Sequence, residues 1–393
     1  MDLRKEDLLL IAASRLNADD LVLAKAELLK VESIDWENFC KRALDTYLAP
    51  LLYNNFKKIY RKDLLPEKPM AFLRKSYQNV LARNIRLFND YKQVSEIFTN
   101  AGLAHAPLKG IFLGTEIYKD IGLRHTSDID LLVREKDVEI ARDALLKSGW
   151  RLIPQIAKSK FIANITTNPH PYQLSNGLST IELHVHIHNS PKTYQVIIED
   201  YWKLATIKPD SEHEYILNPA CLIQHLCIHL DKHLWKGKTK FISFIDIDEV
   251  VRHYGNKLDW NLLENINKKY NCEQEVLAIL FVCQKYLESP IPAFLFDGKH
   301  LETSSLETKF IGYLQNNQTA IKQKLSDHNI STFKNLPGIK PKLQYLLSDF
   351  FPSKEFMISN YRLKSPGLAY IFYLFRFGVG IWKLMRYAVK RII

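Results

Sequence analysis

Between about residues 103 and 205 the spacing of apolar side chains shortens from three and four to two, and beyond it the longer spacing returns. A chain that switches period in this way has to bury a sheet among helices, because alternation suits a strand with one inward face and the longer spacing suits a helix with one inward stripe. Before the switch, Leu8, Ile11 and Leu16, then Phe72, Leu73, Val80, Leu81, Ile85 and Leu87, keep helical spacing. Pro66 and Pro69 interrupt it, and a long helix is predicted from about Met70 to Asn100, stopping at Ala101-Gly102. Within the switch, AHAPL, SDIDLLV, WRLIP, PYQLS and STIELHVHIH read as strands, with helices at 111–119 and 136–148 between the earlier ones. Ser175-Asn176-Gly177 predicts a tight hairpin between the last two, since Asn-Gly accepts positive φ. Helices are predicted again at 217–235, 241–254, 258–287 and 304–327. The expected fold class is α+β: an N-terminal helical region (1–102), a core with a mixed sheet (103–205), a helical C-terminal domain (206–360) and a final basic helix (361–393).

The composition supports this and narrows the partners. With 393 residues, 47% hydrophobic and 25% charged, the chain has material for a sizeable core and is neither disordered, collagenous nor a disulfide framework. Its 54 Lys+Arg against 43 Asp+Glu, a net charge of +11, suit an anionic partner such as nucleotide, nucleic acid or a membrane surface. Cys40, Cys221, Cys227, Cys272 and Cys283 are odd in number and lack CxxC spacing, which points to reduced thiols. MDLRKEDLLLIAASRL carries acidic residues and too short an apolar run for a secretory signal, so the expected location is the cytoplasm. At the other end, the uncharged run Ser365 to Phe375 falls short of the roughly 20 residues of a spanning helix. Arg376, Lys383 and Lys390 form one helical stripe with Arg386 nearby, so residues 366–393 are expected to be a basic amphipathic helix. Such a helix covers the protein's own core, docks a partner, or lies on anionic lipid at the inner face of the membrane.

The chemistry concentrates in PLKGIFLGTEIYKDIGLRHTSDIDLLV, Pro107 to Val133. On a strand, Asp128 and Asp130 share one face while Ile129 and Leu131 take the other. Two adjacent carboxylates raise each other's pKa unless a cation neutralises them, and Mg²⁺ prefers carboxylate oxygens together with water and substrate phosphates. A pair of such ions clamps the attacking and leaving oxygens of a phosphoryl displacement, which calls for a third carboxylate. Glu182 is the candidate, on a run where Ile181, Leu183, Val185 and Ile187 alternate with Glu182, His184, His186 and His188.

A glycine at a strand-to-helix turn, a helix, then Ser-Asp-Ile-Asp-Leu-Leu-Val on a strand resembles the DNA polymerase beta-like nucleotidyltransferase superfamily. LKG, RHTSDID, ELH, HLCIHLDKH and the Phe-Ile-Asp-Ile run, over about Leu103 to Val251, resemble more narrowly its branch of uncharacterised bacterial nucleotidyltransferases. The resemblance implies a nucleotidyltransferase core that moves a nucleoside monophosphate from an NTP to an acceptor. Asp128, Asp130 and Glu182 would be the metal-holding catalytic acids, with two Mg²⁺ ions, or Mn²⁺ in their place. The wider superfamily has Gly followed by Gly or Ser at the turn, whereas this chain has Lys109-Gly110, a pair that looks normal for the narrower branch. Lys109 is accordingly expected to offer its charge to the triphosphate, aided by backbone N–H groups from Gly110 onward.

Further residues join the expected nucleotide site. Arg124 steadies phosphates or pairs with the carboxylates, and Ser127 contacts nucleotide or only its own turn. His184 lines the site. His225, His229 and His233 share one helix face, and His229 and His233 are candidates for the site; a zinc centre is disfavoured because neither histidine set has HExxH spacing. Asp246, at the position the resembling branch uses, orients a histidine or the nucleotide sugar, or faces solvent beside Asp248 and Glu249. The acceptor hydroxyl belongs to a small molecule, a protein or an RNA end. The competing reading is a catalytically inactive nucleotide-binding or membrane-peripheral interaction protein. Direct nucleic-acid binding suits the charge but has no recognisable module behind it.

Overall fold

The computed structural model describes residues 3–17, 34–58, 66–154, 171–187, 196–237 and 239–317, with scattered positions from 339 to 378. Helices α1 (Lys5–Ala13), α2 (Trp36–Asp45) and α3 (Ala49–Lys58) precede α4 (Glu67–Asn100), a rod roughly 50 Å long at the usual rise per residue. Pro66 caps α4 and Pro69 falls in its first turn, where the missing N–H is not needed, so the prolines open the helix rather than break it. Its buried stripe runs Leu73, Ser76, Val80, Asn84, Leu87, Tyr91, Val94, Phe98. Leu73 joins the core of the helical regions and Leu87 to Phe98 join the core under the sheet, so this one helix serves both. It stops where Gly102 takes φ +66° and Leu103 N donates back to Phe98 O at 2.9 Å.

The sheet contains β1 (His105–Pro107), β2 (Ile129–Val133), β3 (Arg151–Leu152), β4 (Tyr172–Ser175) and β5 (Thr180–His184), in the order β1-β2-β5-β4-β3. Only β2 and β5 pair in parallel, which makes the sheet mixed as expected. Ile129, Leu131, Val133, Ile181 and Leu183 pack into the core with α4 and with α6 (Val138–Lys147). The opposite face carries Asp130, Leu132, Glu182 and His184, and Leu132 belongs to the helical core. The hairpin lies where Asn-Gly predicts it, but the turn spans 176–179, with Ser175 opposite Thr180. Asn176 Oδ1 accepts from Leu178 N at 3.0 Å and Ser179 N at 2.8 Å, and Gly177 takes φ +92°. The strand predicted through His188 stops at His184, and His186 Nε2 instead donates to Val196 O at 2.9 Å. His188 lies outside the described residues.

The helix predicted at 111–119 is a single turn, α5 (Lys109–Phe112), that widens into a π-turn over Leu113–Ile117 and delivers Tyr118 inward. After α7 (Ile198–Leu204), helix α8 (Pro219–Lys236) starts with Asn218 as cap and proline at its first position, and ends at Gly237 with φ +63°. Helix α9 (Ile242–Tyr254) is buried on nearly all sides. The single helix predicted over 258–287 is two, α10 (Trp260–Lys269) and α11 (Glu273–Leu287), because Asn271 adopts φ +54° and Cys272 N turns back to Asn267 O. Helix α12 (Ser304–Leu314) ends early as Asn316 takes φ +51°, and the predicted span beyond 317 lies outside the described residues.

These elements form one compact unit, made of residues 1–153, 169–187 and 193–325, in which N-terminal and C-terminal helices share a core: Phe39 and Leu52 belong to the same cluster as Phe244 and Leu280. All five cysteines are buried free thiols, and burial pushes that of Cys40 up to about 11. A second unit comprises 154–168, 188–192 and 326–393. Its described part includes α13 (Lys354–Asn360) and a helix over 368–376, where Tyr373 donates to Pro352 O and Arg376 to the Tyr361 hydroxyl. Lys383, Arg386 and Lys390 of the expected basic helix lie outside the described residues. Among the described residues no helix is long and apolar enough to cross a membrane.

Candidate active site

Parallel pairing of β2 with β5 sets Asp130 directly opposite Glu182 and Leu132 opposite His184. Alternation puts the two acids and the histidine on the face opposite the core that α4 and α6 cover, so three ligand-bearing side chains meet without any loop to hold them. Their ligand atoms lie within 4.8 Å of one another, and among the described residues this is the one such group of acids, histidines or cysteines. Asp128 stands just before β2, half-buried, with its Oδ1 accepting from Ser127 Oγ at 2.7 Å. Burial raises its pKa to about 6; the charges of Asp130 and Glu182 push the same way, against Ser127 and Lys109.

Lys109 makes the turn from β1 into α5. Leu108 N donates to Asp130 O at 2.9 Å, and Lys109 itself adopts φ +45°, a left-handed conformation that costs about 1 kcal/mol in a residue with a Cβ. That turn aims its ammonium at Asp130 Oδ1, 2.8 Å away, with side chains only 14% and 5% exposed. His184 Nε2 meets the same oxygen at 2.7 Å and Glu182 Oε2 at 3.5 Å. Burial pulls the Asp130 pKa upward, but Lys109 and His184 more than offset it and hold the carboxyl well below its usual range. Burial and Lys109 pull His184 down, yet its hydrogen bonds to Asp130 and Glu182 raise it on balance. Lys109 is raised too, its desolvation outweighed by Asp130, Asp128 and Glu182.

Gly110 follows because nothing larger fits. A Cβ there would lie 2.5 Å from Thr126 Cγ2 and 2.9 Å from Arg124 Nη1. Arg124 does not pair with the acids of β2. It forks onto Asp246 of α9, Nε to Oδ1 at 2.9 Å and Nη2 to Oδ2 at 2.7 Å. Tyr118, delivered by the π-turn, donates to the same Oδ1 at 2.9 Å, so Asp246 is neither solvent-facing nor on a histidine but a clamp between helical domain and core. His229 of α8 is half-buried, and desolvation, Lys109 and the neighbouring His233 and His225 hold its pKa well below the ordinary value against the pull of Asp130. Its ring lies within the electrostatic reach of the Lys109–Asp130 pair. The His233 ring packs against it at 4.3 Å between centroids, tilted by 41°.

Gln173 is a site residue that belongs to none of the sequence motifs: its Nε2 donates to Glu182 Oε1 across the hairpin. Counting outward from the Asn-Gly turn would have found it, since Gln173 is the register partner of Glu182. Tyr118 had no signal, because only the unforeseen π-turn brings it inward.

Two carboxylates and an imidazole within 4.8 Å suit a hard divalent cation with oxygen ligands, and neighbouring ligand atoms on Mg²⁺ need only close that spacing modestly. The residues fit Mg²⁺, and His184 would add a nitrogen that Mn²⁺ accepts more readily. No curated protein and no solved structure matches the chain. Residues 32–288, well over half of its length, match a family described as uncharacterised nucleotidyltransferase, and that stretch carries the acids of both strands, Lys109 and the Arg124–Asp246 clamp. The chain belongs to this family of uncharacterised nucleotidyltransferases.

Proposed function

We propose that the protein transfers a nucleoside monophosphate from an NTP to an acceptor hydroxyl and releases pyrophosphate. The observation that carries this reading is the register of Asp130 against Glu182 on adjacent parallel strands, with Asp128 at the entry to the first. Asp128, Asp130 and Glu182 would hold Mg²⁺, which when bound neutralises triphosphate charge and orients it. In the transfer, the acceptor oxygen bonds to the α-phosphorus, the bond from that phosphorus to the bridging oxygen of pyrophosphate breaks, and the hydroxyl proton passes to a carboxylate. Glu182 is the reading's choice for that proton, because Gln173 anchors one of its oxygens and its side chain is 18% exposed, open to a substrate. Lys109 supplies positive charge beside the acids, and Gly110 lets the turn lie close to Thr126. Such catalysis is chiefly positioning and charge compensation.

Thermal unfolding of the full chain and of Asp128→Asn with each NTP, with and without Mg²⁺, tests this, since a ligand of the folded state raises Tm. The expected result is a Mg²⁺-dependent rise for one NTP, lost in the variant. No rise with any NTP overturns the reading; a rise without pyrophosphate release in the presence of candidate acceptors (small hydroxylated molecules, protein, RNA ends) favours a nucleotide-binding protein without catalysis.

A further inference from the structure

Beside the acids lies a second cluster, used by none of the steps above. Arg83, exposed on α4, donates through Nη1 to His125 Nε2 and through Nη2 to the carbonyl of Ser127, both at 3.4 Å. The Tyr47 ring packs on His125 at 4.7 Å between centroids, and Lys240 Nζ lies over the Tyr47 ring at 4.9 Å from its centroid, close enough for its charge to act on His125. Because arginine only donates, His125 Nε2 accepts and the imidazole is neutral. Tyr47 holds φ +65°, an uncommon conformation for an aromatic residue, at the end of α2. Among the described residues neither Arg83 nor Lys240 has a carboxylate partner, unlike Arg124 on Asp246 and Lys109 on Asp130.

Two cations held by hydrogen bonds and ring contacts, and left without counter-charge next to the Ser127–Asp128 step, form a place for an anion rather than a solvated surface. We infer that Arg83 and Lys240, framed by Tyr47 and His125, form a phosphate subsite that takes the terminal phosphates of the NTP donor. This rests on the proposed nucleotidyl transfer and extends it from the acids to the leaving group: pyrophosphate departs toward this side, and Arg83 and Lys240 take up the charge that develops on it. Arg83 is pre-aimed by the Ser127 carbonyl, which ties its position to the residue that hydrogen-bonds Asp128.

The test is titration calorimetry on the full chain and on Arg83→Gln, Lys240→Gln and the double variant. The ligands are the NTP that raises Tm, the matching NMP, and inorganic tripolyphosphate, all with Mg²⁺. The double variant is expected to bind NTP and tripolyphosphate at least tenfold more weakly, and NMP within twofold of wild type. Arg86→Gln, which removes the same charge from the exposed surface of α4, is expected to leave all three unchanged. Unchanged NTP affinity in the double variant overturns the subsite, as does an equal loss for NMP or an equal loss in Arg86→Gln. A loss confined to a 5′-phosphorylated oligonucleotide, with NTP unaffected, would instead assign the phosphate to an acceptor and also overturn the donor assignment. If wild type binds no NTP but binds tripolyphosphate and the double variant does not, the phosphate subsite stands and the nucleotidyl-transfer reading fails; if wild type binds neither, both fail.

Discussion

Arg124 and Asp246, 122 residues apart, form a two-pronged ion pair with side chains 13% and 3% exposed, and the Tyr118 hydroxyl completes it. It joins the turn beside Gly110 to the C-terminal helices. A buried pair of this kind adds little net stability, but losing one partner strands the other charge at a cost of about 3–5 kcal/mol. Asp246→Ala is therefore expected to lose that much in urea unfolding, and Arg124→Met/Asp246→Leu distinctly less than the sum of the two single changes. Additive losses would show that the two side chains are not coupled.

Gly110→Ala is expected to cost about 1–3 kcal/mol, since its Cβ would meet Thr126 Cγ2 at 2.5 Å. Removing that methyl with Thr126→Ser in the same chain should recover part of the loss. Chemical denaturation of the two variants measures it, and a Gly110→Ala protein as stable as wild type would contradict the close approach.

Glu249 gives a pH dependence with a definite sign. It is buried, accepts from Leu16 N at 2.8 Å, and burial raises its pKa from 4.5 to about 7. Between those values the folded state keeps a proton that the unfolded state has lost, so stability falls as pH rises from about 4.5 to 7. The full effect is about 3 kcal/mol. Glu249→Gln mimics the protonated form and should flatten the curve over this window, as read from Tm against pH; an unaltered slope would rule out Glu249 as its source.

Gln173→Leu removes the donor that holds Glu182. The expectation is a roughly tenfold fall in kcat for nucleotidyl transfer with NTP affinity nearly unchanged, the size of one hydrogen bond expressed only in the reacting geometry. A change in KM alone would mean that Gln173 serves binding.

Lys109→Gly removes a strained φ and the ammonium on Asp130 together. Mn²⁺ alone should then bind more tightly, because the carboxylates lose a competing cation, while Mg-NTP binds at least tenfold more weakly. Mg-NTP bound as tightly as by wild type would take Lys109 out of phosphate recognition.

Much of the architecture could be read from neighbours within a few residues. The stripe from Leu73 to Phe98, the stop at Gly102, the Asn218-Pro219 start of α8 and the Asn176-Gly177 hairpin follow from spacing, caps and turn chemistry. So does the alternation that turns Asp130 and Glu182 away from their apolar neighbours. Where local signals misled, a single backbone conformation intervened: Asn271 in the left-handed region split one predicted helix into two, and the π-turn after α5 replaced another.

The residue types of the site, and the face of each strand they occupy, were thus set by the sequence alone. That β2 lies beside β5, that Lys109 folds onto Asp130, that Arg124 goes to Asp246 and that Arg83 and Lys240 gather around His125 were decided only by the tertiary structure. The reason is physical. Periodicity and capping act through contacts a few residues apart, whereas these pairings join distant segments and form only when burial of the shared cores pays the entropy of bringing them together.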